Sequence, residues 1–210
     1  MIAPGGWETM LRLSGIMDLY NGSVRFPIQE EGMNYQSQPL ERHEREEMRK
    51  DSEVLERVLR SYRLMLDFYG MQLVSTDTGL LARSAPEDNC SKRYSHLIRS
   101  YHNYLRISRI LKCLSEMGLE RLNAGFLLHV LNEQSEHDLL NVPNLTGSMD
   151  RWWANCIRND DERQWIGALI DRVRDGDLVF TRKMYEDALE RREQTGSLDE
   201  SKGKSDGGTD

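Results

Sequence analysis

Three side chains at steps of four, His129, Glu133 and His137, have the spacing at which a helix lines up two imidazoles and a carboxylate. A metal would need that geometry, a fourth ligand and a dry pocket. The helix is expected to fray near Ser135, so the three are read as a solvated face and no metal is expected. His102 and Cys113 share another helix but lie about three turns apart, beyond hydrogen-bond reach for a thiolate–imidazole pair. The chain has no GxSxG, no phosphate-binding GxxxxGK, no glycine fingerprint after a strand, and no paired acids beside a histidine. Its carboxylates fall mostly on the exposed faces of expected helices. Neither an enzyme nor a cofactor is expected.

Binding chemistry is better represented. Lys92, Arg93, His96, Arg99, His102, Arg106, Arg109 and Lys112 gather in one region, with no acid between Asn89 and Ser115. Tyr94, Tyr101 and Tyr104 are interleaved and could stack on bases or pack on guanidinium groups. The plainer reading is a solvated helix pair, offset by the acid-rich stretch from Glu41 to Glu56. Trp152 and Trp153 diverge by about 100° on a helix, so one belongs to the core and the other to an interface or groove.

The elements that carry these residues are helical. From Pro39, PLERHEREEMRK runs from acids to bases. Asp51 or Ser52 can cap a helix over 52–69, in which Val54, Val58, Leu59, Tyr62, Leu66 and Tyr69 share one face. Leu64 and Phe68 lie off that face, so the C-terminal half should be covered on two sides, and Arg60 and Arg63 should pair with Glu56 and Asp67. Gly70 ends the helix. MQLVSTDTGLLAR suggests a short hairpin. Further helices are expected over 91–100, 101–117, 121–134, 148–158, 160–174 and 182–192, with Asn141 to Thr146 irregular at Pro143. In YHNYLRISRILKCLSEMGLE, Tyr104, Ile107, Ile110, Leu111, Leu114 and Met117 form a core stripe, beside a second stripe of His102, Arg106, Arg109 and Cys113.

The chain has 210 residues, 30% charged and 38% apolar, with a net charge of −7, which disfavours wholesale binding to nucleic acid or anionic membrane. It has no apolar run long enough to span a bilayer, and MIAPGGWETMLRLSG is a poor secretory signal. Cys90, Cys113 and Cys156 are isolated and odd in number, which fits a reducing, intracellular location. The sequons at Asn21, Asn89 and Asn144 are then not expected to be modified. The expected fold is all-α: one domain of about six or seven helices with a small hairpin near 71–82. Residues 1–24 read as an irregular lead-in, 25–178 as the main domain, 179–194 as a polar helix and 195–210 as a disordered tail.

YHNYLRISRILKCLSEMGLE resembles the most recognisable segment of the opioid growth factor receptor conserved domain. EEGMNYQSQPL (30–40) and RSYRLMLDFYGMQLV (60–74) agree with the same family, in the same order and spacing. The family usually carries an aromatic-rich segment before the Glu-Gly-Met-Asn block, whereas here only Arg25-Phe26-Pro27 remains, and its acid-rich C-terminal repeats are absent. The chain looks like a short or receptor-like member. The resemblance implies a helical, non-enzymatic receptor domain that binds an opioid-type peptide such as Met-enkephalin and restrains cell proliferation. It also implies an intracellular setting, nuclear or perinuclear and peripheral to membrane, with a protein partner as a further expectation and nucleic acid disfavoured. Such a peptide needs apolar room, a cation for its carboxylate and an acid for its amine. Asp67, Tyr69, His102, Asn103, Arg106 and Arg109 are the ligand-binding candidates, with Arg106 serving the carboxylate and Asp67 the amine. The bland alternative makes Arg106 and Asp67 structural bonds inside the bundle. The alternative function is a scaffold whose basic helical face binds an acidic protein or nucleic acid.

Overall fold

The computed structural model describes residues 40–200, so the expected lead-in and residues 201–210 of the expected tail lie outside the described residues. Within them the chain is all-α, with eight α-helices and one two-stranded sheet. Helix α1 (Arg42–Lys50) begins where the Glu41 amide donates to Glu44. Helix α2 (Ser52–Tyr69) starts at Asp51, whose carboxylate accepts from the Glu53 and Val54 amides at 2.9 and 3.2 Å. It ends at Gly70, where φ is 86°. Strands β1 (Met71–Leu73) and β2 (Leu81–Arg83) pair antiparallel, with Gln72 opposite Ala82. Helices α3 (Glu87–Arg99), α4 (His102–Glu116) and α5 (Glu120–His137) follow. Helix α3 starts earlier than periodicity suggested, because Glu87 and Asp88 supply the acids that favour a first turn.

Helix α5 is the axis of the bundle. Every residue from Leu122 to Gln134 is buried, so the helix lacks the polar face of a surface helix. Its burial includes His129 and Glu133, which corrects the expectation of a solvated face, and it runs to His137 rather than fraying at Ser135. Glu116 and Glu162 are buried carboxylates as well: Glu116 pairs with Arg45 at 3.1 Å and with Arg158, and Glu162 pairs with Arg192 at 2.5 Å. A Cβ on Gly125 would strike the Gly79 carbonyl, so the hairpin loop lies backbone to backbone on α5. Helices α2 and α4 face each other as their stripes predicted: Tyr62 and Leu66 meet Ile107 and Leu111 across one small internal space, Leu114 shares the core, and Leu59 is only partly buried against it.

Three details depart from the expected pattern. Residues 141–146 are not wholly irregular: Pro143 stands at the first position of helix α6 (Pro143–Ser148), where its missing N–H costs nothing. The chain continues through a π-helical turn (Met149–Trp153) and a 3-10 turn (Ala154–Cys156), where a single helix over 148–158 was expected. Leu64 and Phe68 are not covered on a second side; they remain 48% and 41% exposed. Helix α7 (Asp160–Arg174) keeps its expected bounds, while α8 (Arg182–Thr195) extends one turn further. Residues 196–200 then fold back, burying Leu198 and pairing Glu200 with Arg191 at 2.7 Å.

Candidate ligand-binding groove

Helix α4 and the turn after α6 meet at one tryptophan. Trp153 is fully buried, donates its indole N–H to the Tyr104 carbonyl at 3.1 Å, and meets the Tyr104 and Phe126 rings edge to face. Pinning Trp153 inward turns its neighbour outward, and Trp152 is 65% exposed. Tyr101 and Leu105, one turn apart on α4, are 62% and 60% exposed. Between them lies a groove of about 600 Å³, completed by Tyr104, Ser108, Lys112, Asn144, Ser148 and Arg151. The size suits a small ligand, and the walls suit an apolar or aromatic one. Both charges in the lining are cations, Lys112 and Arg151. The Arg151 Nε donates to the Gly147 carbonyl at 3.0 Å, and no ion pair engages Arg151 among the described residues. The π-helical turn places the bulky side chains of α6 and its continuation against α4, and such turns occur often at functional sites.

A second cleft, of about 390 Å³, lies between α7 and α8 beside Trp165 and Met184. Its walls carry charges of both signs, and Arg191 there is already bound to Glu200. It offers no exposed aromatic of the Trp152 kind.

The buried polar cluster around α5 has structural chemistry. Arg83 forks onto the Glu133 carboxylate with three hydrogen bonds of 2.8–3.0 Å. The Tyr94 hydroxyl lies 3.2 Å from His129 Nε2. Burial, reinforced by the positive charges of Arg182 and Arg83, holds the His129 ring down at about 3, so it is neutral. Glu133 is 3.8 Å from the same ring and would favour its protonation, but the Arg83 fork offsets that charge. Burial pushes the Tyr94 and Cys113 groups up, which leaves the Cys113 thiol protonated and unreactive. Among the described residues, no cluster of three or more His, Cys, Asp or Glu side chains is arranged to hold a metal ion.

The candidates read from the sequence are divided between α2 (Asp67, Tyr69) and one arc of α4 (His102, Asn103, Arg106, Arg109). Asn103 is buried; its carbonyl oxygen accepts from Arg106 Nη1 at 3.3 Å, and its Nδ2 has no partner. Tyr69 is buried with its hydroxyl unpartnered, burial raising its pKa and the nearby Arg106 charge opposing that rise. These three therefore lie together. Asp67 is on the surface in an ion pair with Arg93 at 2.7 Å, instead of the Arg63 partner that helical spacing suggested. His102 stacks on Tyr101 with ring centroids 4.2 Å apart, and Arg109 lies one turn beyond Arg106 on α4. The groove residues Tyr101, Leu105, Ser108 and Lys112 occupy an arc about 100° from the stripe of His102, Arg106 and Arg109. Periodicity held the clue: Tyr101 and Leu105 are apolar, four apart and off the core arc. The Trp152–Trp153 pair gave the opposite wall.

Residues 23–181 match the family described as "Opioid growth factor receptor (OGFr) conserved region". Mouse opioid growth factor receptor-like protein 1 is 37% identical over 139 residues, 66% of this chain and 29% of that protein. The human opioid growth factor receptor is 42% identical over 108 residues, 51% of this chain and 16% of the receptor. The mouse receptor is 43% identical over the same length. The chain thus spans less than a third of each of these relatives. No solved structure matches it. No described helix is long and apolar enough to cross a membrane. With the three blocks 30–40, 60–74 and 101–120 all inside the matched region, the chain belongs to the opioid growth factor receptor conserved-region family.

Proposed function

We propose that this chain is a non-enzymatic, receptor-like domain that binds a short opioid-type peptide in the groove between α4 and the π-helical turn. The observation that carries the reading is the set of three exposed apolar side chains, Tyr101, Leu105 and Trp152, around a 600 Å³ groove whose charges are both positive. An enkephalin-type peptide presents two aromatic rings, a methionine, a carboxylate and an ammonium; the groove lining holds no acid, so the ammonium is left to solvent. The rings can lie against Trp152 and Tyr101, and the carboxylate can reach the Arg151 fork. The names of the relatives support an opioid ligand, and a role in restraining growth inside the cell belongs to the same proposal.

The test compares Met-enkephalin with its C-terminal amide by fluorescence titration on wild type and Arg151→Gln. The free acid should bind wild type about three- to thirtyfold more tightly than the amide, and Arg151→Gln should abolish that preference. Equal affinity of acid and amide for wild type would refute the orientation proposed.

A second reading rests on the two buried, unpartnered groups, the Tyr69 hydroxyl and Asn103 Nδ2, beside Arg106. It places the peptide's carboxylate at Arg106, with His102 and Arg109 on the same stripe and Asp67 serving the amine. Arg106→Lys keeps the charge and loses the fork. This reading predicts weaker binding at an unchanged melting temperature, and a fall in melting temperature with affinity intact would refute it.

A further inference from the structure

Leu64 and Phe68 stand one turn apart on α2 and together form an apolar pair left 48% and 41% exposed. The Phe68 ring meets the His96 ring of α3 edge to face at 5.7 Å and the buried Tyr69 ring at 5.4 Å. His96 stands in line on α3 with Lys92, four residues before it, and Arg99, three after it. The ion pairs of α2 and α3 join Arg57 to Glu53, Arg60 to Glu56 and Arg93 to Asp67. Among the described residues they leave Lys92 and Arg99 without a carboxylate. An apolar centre is thus flanked along α3 by two cations whose counter-charge the fold does not supply. All of this lies on α2 and α3, which contribute no residue to the groove.

We propose that this face, with Phe68 and Leu64 as its apolar centre and Lys92 and Arg99 as its cationic rim, docks an acidic segment of a partner protein that carries an apolar side chain. Charge complementarity selects the acids, and the Leu64–Phe68 pair selects the apolar anchor. A nucleic acid fits less well. The chain's net charge of −7 repels a long phosphate backbone. A short acidic segment needs only the local patch.

The probe is a fluorescein-labelled peptide of Glu and Asp around one central Phe, followed by fluorescence anisotropy at low salt. Its controls are the same peptide with Ala for Phe and a single-stranded oligonucleotide of equal charge. Wild type should bind the Phe peptide saturably and at least about threefold more tightly than the Ala peptide, with both affinities falling as salt rises. The double change Lys92→Glu with Arg99→Glu should weaken binding about tenfold or more. Phe68→Ala should weaken the Phe peptide about threefold or more and leave the Ala peptide unchanged. All these positions are at least partly exposed, and circular dichroism on each variant checks that the fold is kept. The proposal is overturned if wild type shows no saturable binding, if neither change alters affinity, or if the oligonucleotide binds more tightly than the peptide.

Discussion

Two adjacent tryptophans should respond in opposite ways to the same truncation. Trp153→Ala removes a side chain that is fully buried, breaks the indole bond to the Tyr104 carbonyl, and empties the space between the Tyr104 and Phe126 rings. A core aromatic reduced to Ala costs about 3–5 kcal/mol. The Tyr104 carbonyl also accepts from Ser108 Oγ at 3.1 Å, so it is not orphaned, and the estimate needs no added penalty for an unmet acceptor. For a chain of this size that loss lowers Tm by about 6–20 °C. Trp152→Ala removes mostly solvated area and should change stability by no more than about 0.5 kcal/mol. Urea unfolding followed by far-UV circular dichroism measures both, with the slope against denaturant checked for constancy. A cost below about 1 kcal/mol for Trp153→Ala, or a cost for Trp152→Ala equal to it, would refute the inward–outward assignment on which the groove depends.

Leu111→Ala, at a fully buried position in the contact between α2 and α4, should cost about 2–5 kcal/mol by the same assay. Gly125→Ala should cost about 1–3 kcal/mol, because its Cβ would strike the Gly79 carbonyl and the hairpin loop must lift from α5; a neutral effect would show that the close approach is absent. His129 is harder to protonate in the fold, at about 3, than in the unfolded chain, at 6.5, so acid favours unfolding. The stability due to the neutral ring is complete above about 6.5 and is lost at up to about 1.4 kcal/mol per pH unit as pH falls towards 3. His129→Gln should flatten the fall in unfolding free energy between pH 6.5 and 4.5, and an unchanged slope would refute the assignment.

Much of the fold was legible because helix periodicity reports burial directly. Helices 52–69 and 160–174 have caps that the sequence displays, Asp51 and Asn159, and their observed bounds match the expected ones. Helix α5 was harder to read. A helix buried all round shows no alternation, and its polar members Asn123, His129, Asn132 and Glu133 imitate a wet face. Their partners, among them Arg83 fifty residues away and Phe180 forty-eight away, are visible only after folding. The same limit applies to Asp67: local spacing suggested Arg63, but the bundle brings Arg93 to it from 26 residues away. Of the groove, the residue types were legible and their assembly was not. Tyr101 was legible as an aromatic of the basic region and one tryptophan of the 152–153 pair as an interface residue, while Leu105 and the choice between the two tryptophans came only with the fold. That Tyr101, Leu105 and Trp152 face one another depends on the π-helical turn, which no local pattern announced.

Calorimetric titration of Met-enkephalin into the wild-type chain and into Trp152→Ala, with a scrambled pentapeptide as control, tests the central proposal most directly. The account predicts saturable one-to-one binding to wild type, no binding of the scrambled peptide, and at least about tenfold weaker binding to a Trp152→Ala variant whose melting temperature is unchanged. Wild-type affinity retained in that variant, or equal heats from the scrambled peptide, would contradict it.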